Sequence, residues 1–161
     1  MKKIILASTV ALSLLFGSAS LSLPTTSTVS AAEIYATHGD KIVSTAKSYI
    51  GKVRYRFGVR DPQHLIFDCS SFTQYVFKKN GRTIPWGSSA QTRYGMRVPS
   101  KSQLAIGDLV MFSVSKPGRI NHVGIYVGNG KFINNKPGVG VVISDMNSGY
   151  WSTRYITGRH Y

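Results

Sequence analysis

The chain has 161 residues, a single cysteine and a formal net charge of +14, from 20 Lys and Arg against 6 Asp and Glu. One cysteine excludes an internal disulfide, and the scattered basic residues argue against a nucleic-acid-binding arm. The excess of positive charge predicts anionic polymers as partners and no nucleic acid.

The first residues predict export. Two lysines precede an apolar run from Ile4 to Phe16, and a Ser/Thr/Pro-rich stretch then leads to Ala31-Ala32. This order is typical of a secretory signal peptide, so we assign residues 1–32 to the signal and residues 33–161 to a single domain. The apolar run is shorter than the roughly 20 residues that span a bilayer. We therefore expect a secreted, cell-wall-associated monomer with no membrane span.

Helices are predicted in the first half of the domain. Apolar residues at helical spacing predict a helix over residues 41–50, with Asp40 as its N-cap and Gly51 at its end. A second helix is predicted from Cys69 to an Asn-Gly pair at residues 80–81. The segment 88–94 predicts one or two further helical turns, capped by its first serine.

Strands are predicted in the second half. Short β-rich runs separated by glycine turns occupy residues 108–113, 122–127, 131–134 and 139–143. The pair Asn129-Gly130 predicts a tight hairpin between the second and third runs. Because helices come first and strands follow, the predicted class is α+β, with N-terminal helices packed on a largely antiparallel β-sheet.

Cys69 is the candidate nucleophile. It stands at the start of the second predicted helix, where unpaired N–H groups and the helix dipole favour a thiolate. The same N–H groups can stabilise the oxyanion that forms when a carbonyl is attacked.

His122 is the candidate base, because it alone of the four histidines begins a strand of the predicted sheet. A third group has to orient its ring, and we select Asn134, with Asn135 as the alternative. Asn134 lies across the predicted hairpin, an even number of positions from His122, which places both on one sheet face. The histidines lack ligand spacing, so no metal or other cofactor is predicted.

Four stretches resemble the NlpC/P60 family of peptidoglycan peptidases, in order and in spacing. They are residues 55–58, 67–72, 107–112 and 121–133. The resemblance implies a papain-like fold in which Cys69 attacks, His122 is the base and Asn134 orients it. The family often has His at position 134, and it often has Gly where this chain has Val59 and Ser71.

The resemblance also implies a substrate and further site residues. The substrate would be the peptidoglycan stem peptide, cut at the D-γ-glutamyl–diamino acid bond. Tyr55 would assist at the oxyanion, and Asp68 and Ser70 would bind the free amine end of the peptide. From the residues alone, Asp68 is equally suited to cap the helix that begins at Cys69.

Two other functions use the same residues. An N-acetylmuramoyl-L-alanine amidase could employ the same Cys/His pair, and an inert wall-binding protein could keep the fold without turnover. A charge-driven nucleic-acid or membrane binder is disfavoured, because it would need clustered Lys and Arg interleaved with exposed aromatic residues.

Overall fold

The structure is a computed structural model, and it describes residues 30–161. Most of the predicted signal peptide, residues 1–29, lies outside the described residues. The helices are α1 (Ala31–Lys47), α2 (Cys69–Lys79) and α3 (Ser88–Gln91). The strands are β1 (Arg54–Tyr55), β2 (Arg60–Asp61), β3 (Ile66–Phe67), β4 (Met96–Val98), β5 (Leu109–Phe112), β6 (His122–Gly128), β7 (Lys131–Lys136), β8 (Gly140–Asp145) and β9 (Tyr155–His160).

One six-stranded antiparallel sheet, in the order β4-β9-β5-β6-β7-β8, forms the centre of the fold. Helices α1 and α2 cover one face of it, and a small β1-β3-β2 sheet lies beside them. On the helix side the core includes Phe67, Phe72 and Ile133, all buried. A second cluster on the opposite face is centred on Phe112 and Trp151. The predicted α+β class, with N-terminal helices on an antiparallel sheet, is confirmed.

The first helix begins ten residues before its predicted start. Its N-cap is Ser30 rather than Asp40, and Ser30 forms a capping box with Glu33 through bonds of 3.2 and 2.9 Å. The helix ends at Lys47, before Gly51. None of the described helices is long and apolar enough to cross a membrane.

The hairpin between β6 and β7 is confirmed at Asn129-Gly130. Both residues have positive φ, +52° and +67°, as a two-residue turn of this kind requires. The register pairs Ile125 with Ile133. It sets the side chains of His122 and Asn134 on the same face of the sheet, because the side-chain period of a strand is two.

Two strands of the large sheet were not predicted. β9 lies between β4 and β5, and β4 forms one edge of the sheet. The predicted turns at 88–94 are shorter than expected: α3 ends at Gln91, and its N-cap is Gly87 rather than Ser88.

Candidate active site

The N-terminus of α2 is fixed by a capping box around Asp68. The Asp68 Oδ1 atom accepts hydrogen bonds from the Ser71 backbone N–H at 2.7 Å and from the Ser70 hydroxyl at 2.8 Å. The Ser71 hydroxyl in turn accepts the Asp68 N–H at 2.9 Å. Cys69 therefore occupies a rigid first turn, and the residue is only 7% exposed.

The Cys69 thiol faces the start of β6 and is close enough to the backbone N–H of Val123 for that group to favour the thiolate. Burial raises the pKa of Cys69 to about 11, and the negative charge of Asp68 adds to the effect. The N–H groups of Val123 and Ser70 oppose the rise but do not cancel it. At neutral pH the thiol keeps its proton, although it lies at a helix N-terminus, so it needs a base.

His122, the first residue of β6, lies next to Val123 in the chain and is 4% exposed. Its Nε2 atom is 3.0 Å from the Oδ1 atom of Asn134. Its ring stacks on Trp151, with centroids 5.0 Å apart and planes 27° from parallel. Burial lowers the pKa of His122 to about 4, so the imidazole is neutral at physiological pH.

The hydrogen bonds of Asn134 determine which imidazole nitrogen is free. The Asn134 Nδ2 group donates to the carbonyl of Val142 at 3.2 Å and to the hydroxyl of Ser144 at 3.0 Å. Its Oδ1 atom must therefore face His122 as an acceptor, so the neutral ring carries its hydrogen on Nε2. The Nδ1 atom then holds the free lone pair that a base requires. The alternative, Asn135, instead bonds to the carbonyl of Phe67 at 2.8 Å.

The other predicted site residues lie around Cys69. Tyr55 on β1 is close enough to Cys69 and Asp68 to feel their charges; burial and those charges raise its pKa to about 12. Its hydroxyl is thus a hydrogen-bond donor at any physiological pH. The hydroxyl of Ser70 is directed to Asp68, whose second oxygen accepts the Nε1–H of Trp86 at 3.0 Å.

Two tryptophans of the site, Trp86 and Trp151, were not predicted as site residues. Trp86 donates a hydrogen bond to Asp68, and the indole of Trp151 stacks on the His122 ring. Each contact joins segments far apart in the chain, so no local spacing or motif could have indicated it. Within the described part of the chain, no group of three or more His, Cys, Asp or Glu residues could hold a metal ion.

A cavity of about 700 Å³ opens beside His122. Its aromatic lining consists of Tyr55, Phe57, Tyr150 and Trp151. The site therefore combines a buried thiol, a neutral imidazole with one free nitrogen, and a cavity beside the imidazole that is large enough for part of a peptide. Such a site is suited to acyl transfer through a thioester.

Comparison with known proteins matches the NlpC/P60 family over residues 51–160. The chain is 42% identical over 108 residues to murein DD-endopeptidase MepS/murein LD-carboxypeptidase of Escherichia coli (strain K12), covering 66% of this chain and 55% of that protein. It is 33% identical over 134 residues to peptidoglycan DL-endopeptidase CwlO of Bacillus licheniformis, covering 78% of this chain and 29% of that protein. The chain thus spans little more than half of one of these relatives and less than a third of the other.

Solved structures of similar chains have the same fold. An NlpC/P60 family protein from Bacillus cereus superposes with a TM-score of 0.68 at 31% identity, covering 76% of this chain and 40% of that chain. The NlpC/p60 domain of peptidoglycan hydrolase SagA superposes with a TM-score of 0.62 at 34% identity, covering 76% of this chain and 98% of that chain. The papain-like α+β fold that the resemblance implied is confirmed. The chain therefore belongs to the NlpC/P60 family.

Proposed function

We propose that this protein is a cysteine peptidase that hydrolyses peptidoglycan stem peptides. Cys69 is the nucleophile, His122 is the base and Asn134 positions the base. The observation that carries the proposal is the hydrogen bond between His122 Nε2 and Asn134 Oδ1, because it leaves Nδ1 as the free nitrogen. The thiol that would deliver its proton faces the residue after His122.

The reaction follows from this arrangement. As the sulfur attacks the substrate carbonyl, its proton passes to His122 Nδ1, and the tetrahedral oxyanion is stabilised by N–H groups at the start of α2 and by the Tyr55 hydroxyl. The C–N bond then breaks, and the protonated imidazole gives its proton to the leaving amine. Water, deprotonated by the same nitrogen, hydrolyses the thioester to a carboxylate and restores the thiol.

We further propose that the bond cleaved joins D-glutamate, through its side-chain carboxyl, to the diamino acid. The Bacillus licheniformis relative is named a DL-endopeptidase, and the Escherichia coli relative is named a DD-endopeptidase and LD-carboxypeptidase. In the first case, a stem peptide already released from the sugar has a free amine close to the scissile bond, and Asp68 is suited to bind it. Its carboxylate accepts three hydrogen bonds in the structure, from Ser70, Ser71 and Trp86. A carboxylate offers about four lone-pair positions, so one remains for an ammonium group.

The test is digestion of purified peptidoglycan by the wild-type chain and by Cys69→Ala, with products identified by mass. We expect fragments ending in D-glutamate from the wild type and none from the variant. Products cut between D-alanine and the diamino acid would show that the protein is a DD-endopeptidase and that the proposed bond is wrong. Whole stem peptides released from the sugar would instead identify an amidase.

A matched control is His64→Ala, because His64 is exposed and bonds to Asp61 away from Cys69. This variant should digest the wall as the wild type does, whereas His122→Ala should not. If the wild type binds the wall and cuts nothing, the protein is an inert wall-binding member of the family and the proposal is wrong.

We also propose that the protein is secreted as a monomer and held at the wall by charge. The Lys-led apolar segment at the N-terminus supports export, and the large excess of Lys and Arg over Asp and Glu, which remains after Lys2 and Lys3 are removed with the signal, supports retention by charge. The measurement is fractionation of the producing cells. Protein that is eluted from whole walls by salt would support it, and protein confined to the cytoplasm would contradict it.

A further inference from the structure

The cavity beside His122 is strongly basic. Lys116, Arg119 and Lys136 line it, and no Asp or Glu is among the described residues that do so. Throughout residues 30–161, no Lys or Arg forms an ion pair with a carboxylate; the two bridges found both involve His. The positive charge of the cavity is therefore not neutralised from within the described part of the chain, and a negatively charged ligand would be attracted to it.

The proposed reaction determines which half of a substrate enters this cavity. His122 has to pass a proton to the leaving amine, so the leaving fragment must lie on the His122 side of Cys69. The cavity is lined by His122 but not by Asp68 or Ser70, the residues proposed for the other fragment. It follows that the cavity receives the leaving fragment, which contains the diamino acid and the residue after it.

We propose that Lys136, together with Arg119 and Lys116, forms a subsite that binds a carboxylate on the leaving fragment and discriminates against the corresponding carboxamide. The inference rests on the proposed function and adds a specificity determinant to it. A carboxylate gains charge-assisted hydrogen bonds from these side chains, whereas a neutral amide does not.

The position of Lys136 makes it the principal member of the subsite. It is on β7 two residues after Asn134, so both side chains point to the same face. Continuing the register that pairs Ile125 with Ile133 brings Lys136 beside His122. Its charge contributes to the lowered pKa of His122, after the larger effect of burial. A carboxylate bound by Lys136 would offset this charge and favour proton uptake by the imidazole.

The experiment uses two synthetic stem peptides that differ only in one group on the leaving fragment, a carboxylate or a carboxamide. At one pH and one ionic strength, we expect kcat/KM of the wild type to be at least about ten-fold higher for the carboxylate. In Lys136→Met this ratio should fall at least about three-fold, because the principal charge is lost while the carboxamide substrate gained nothing from it. The ratio cancels any effect of the variant that both substrates share.

The matched control is Lys131→Met. Lys131 is an exposed lysine at the other end of the same strand, and it does not line the cavity. It should keep the wild-type ratio. An unchanged ratio in Lys136→Met, or an equal loss in Lys131→Met, would overturn the subsite while the proposed peptidase activity stands.

Failure of the proposed function gives a different result. If the wild type cleaves neither peptide, the subsite can still be tested by calorimetry. The ligand is the isolated leaving dipeptide, in its carboxylate and carboxamide forms, and the measurement is its binding affinity. Tighter binding of the carboxylate form, lost in Lys136→Met, would support the subsite without any turnover. Equal binding of the two forms would overturn it.

Discussion

Gly124 is the position at which the packing of the sheet and the geometry of the site are most directly linked. It lies on β6 opposite Asn134, and a Cβ atom added there would be 2.6 Å from Cδ2 of Phe132 and 2.7 Å from the carbonyl oxygen of Ile133. Neither neighbour can yield easily. The Phe132 ring stacks on Phe112 at 4.4 Å, and Ile133 lies in a strand that is paired with β6 on one side and with β8 on the other.

Gly124→Ala should therefore push β7 away from β6. Overpacking of a rigid core costs about 1–3 kcal/mol, and we expect the upper end of that range because a backbone carbonyl is one of the contacts. A domain with typical stability of about 5–15 kcal/mol stays folded after such a loss. The same added atom would lie 3.1 Å from Cβ of Asn134, so it should displace the group that orients His122. We expect kcat/KM to fall at least about ten-fold.

Urea unfolding and hydrolysis of a stem peptide would measure both effects. The control is Gly81→Ala, where an added Cβ meets nothing within 4 Å, although the φ of +76° is itself unfavourable. That variant should lose about 1–2 kcal/mol of stability from backbone strain and keep its activity. If Gly124→Ala is no less stable than Gly81→Ala and remains fully active, the proposed link between strand spacing and the base is wrong.

Two further predictions concern the base itself. Asn134→Ala should lower kcat on the order of a hundred-fold, because a buried Nε2–H loses its acceptor and the ring its orientation, and Asn134→His should restore most of it. No rescue by His would contradict a positioning role. The pH profile of kcat/KM should remain flat from about pH 8 down to about pH 5 and then fall with a midpoint near 4, because burial lowers the pKa of His122 to about 4 and only the neutral ring accepts a proton. A midpoint near the ordinary value of about 6.5 would show that this burial is lost in solution.

The elements that carry the candidate site could be predicted because their signals are local. Asp68 caps a helix whose apolar residues follow at helical spacing, and the structure begins α2 at Cys69 as expected. The Asn-Gly turn and the side-chain period of two were sufficient to place Asn134 on the same face as His122. A contact within one hairpin depends on few residues, so the sequence determines it almost alone.

The remaining features depend on distant segments or on competing signals. Strand β9 is an interior strand of the large sheet, yet it contains Thr157, Gly158 and Arg159 and has little of the apolar pattern that predicts a strand. The start of α1 was misjudged because Ser30 and Glu33, which form its capping box, lie in a stretch that also resembles a signal-peptide cleavage region. The same residues fit both a helix N-terminus and a signal-peptide cleavage site, and the local pattern does not distinguish the two.

Burial determines the protonation states of the two candidate catalytic groups. It raises the pKa of Cys69 and lowers that of His122, so at neutral pH each group is uncharged and neither is reactive alone. In the proposed reaction, transfer of the proton would create opposite charges on Cys69 and His122, and their attraction would offset part of the desolvation that disfavours each charge separately. The thiolate is then stabilised further by the Val123 N–H, and the imidazolium by Asn134. The Cys69 thiolate should therefore form only together with a correctly oriented His122 imidazolium. The proposed cleavage is then confined to substrates that reach the cavity beside His122.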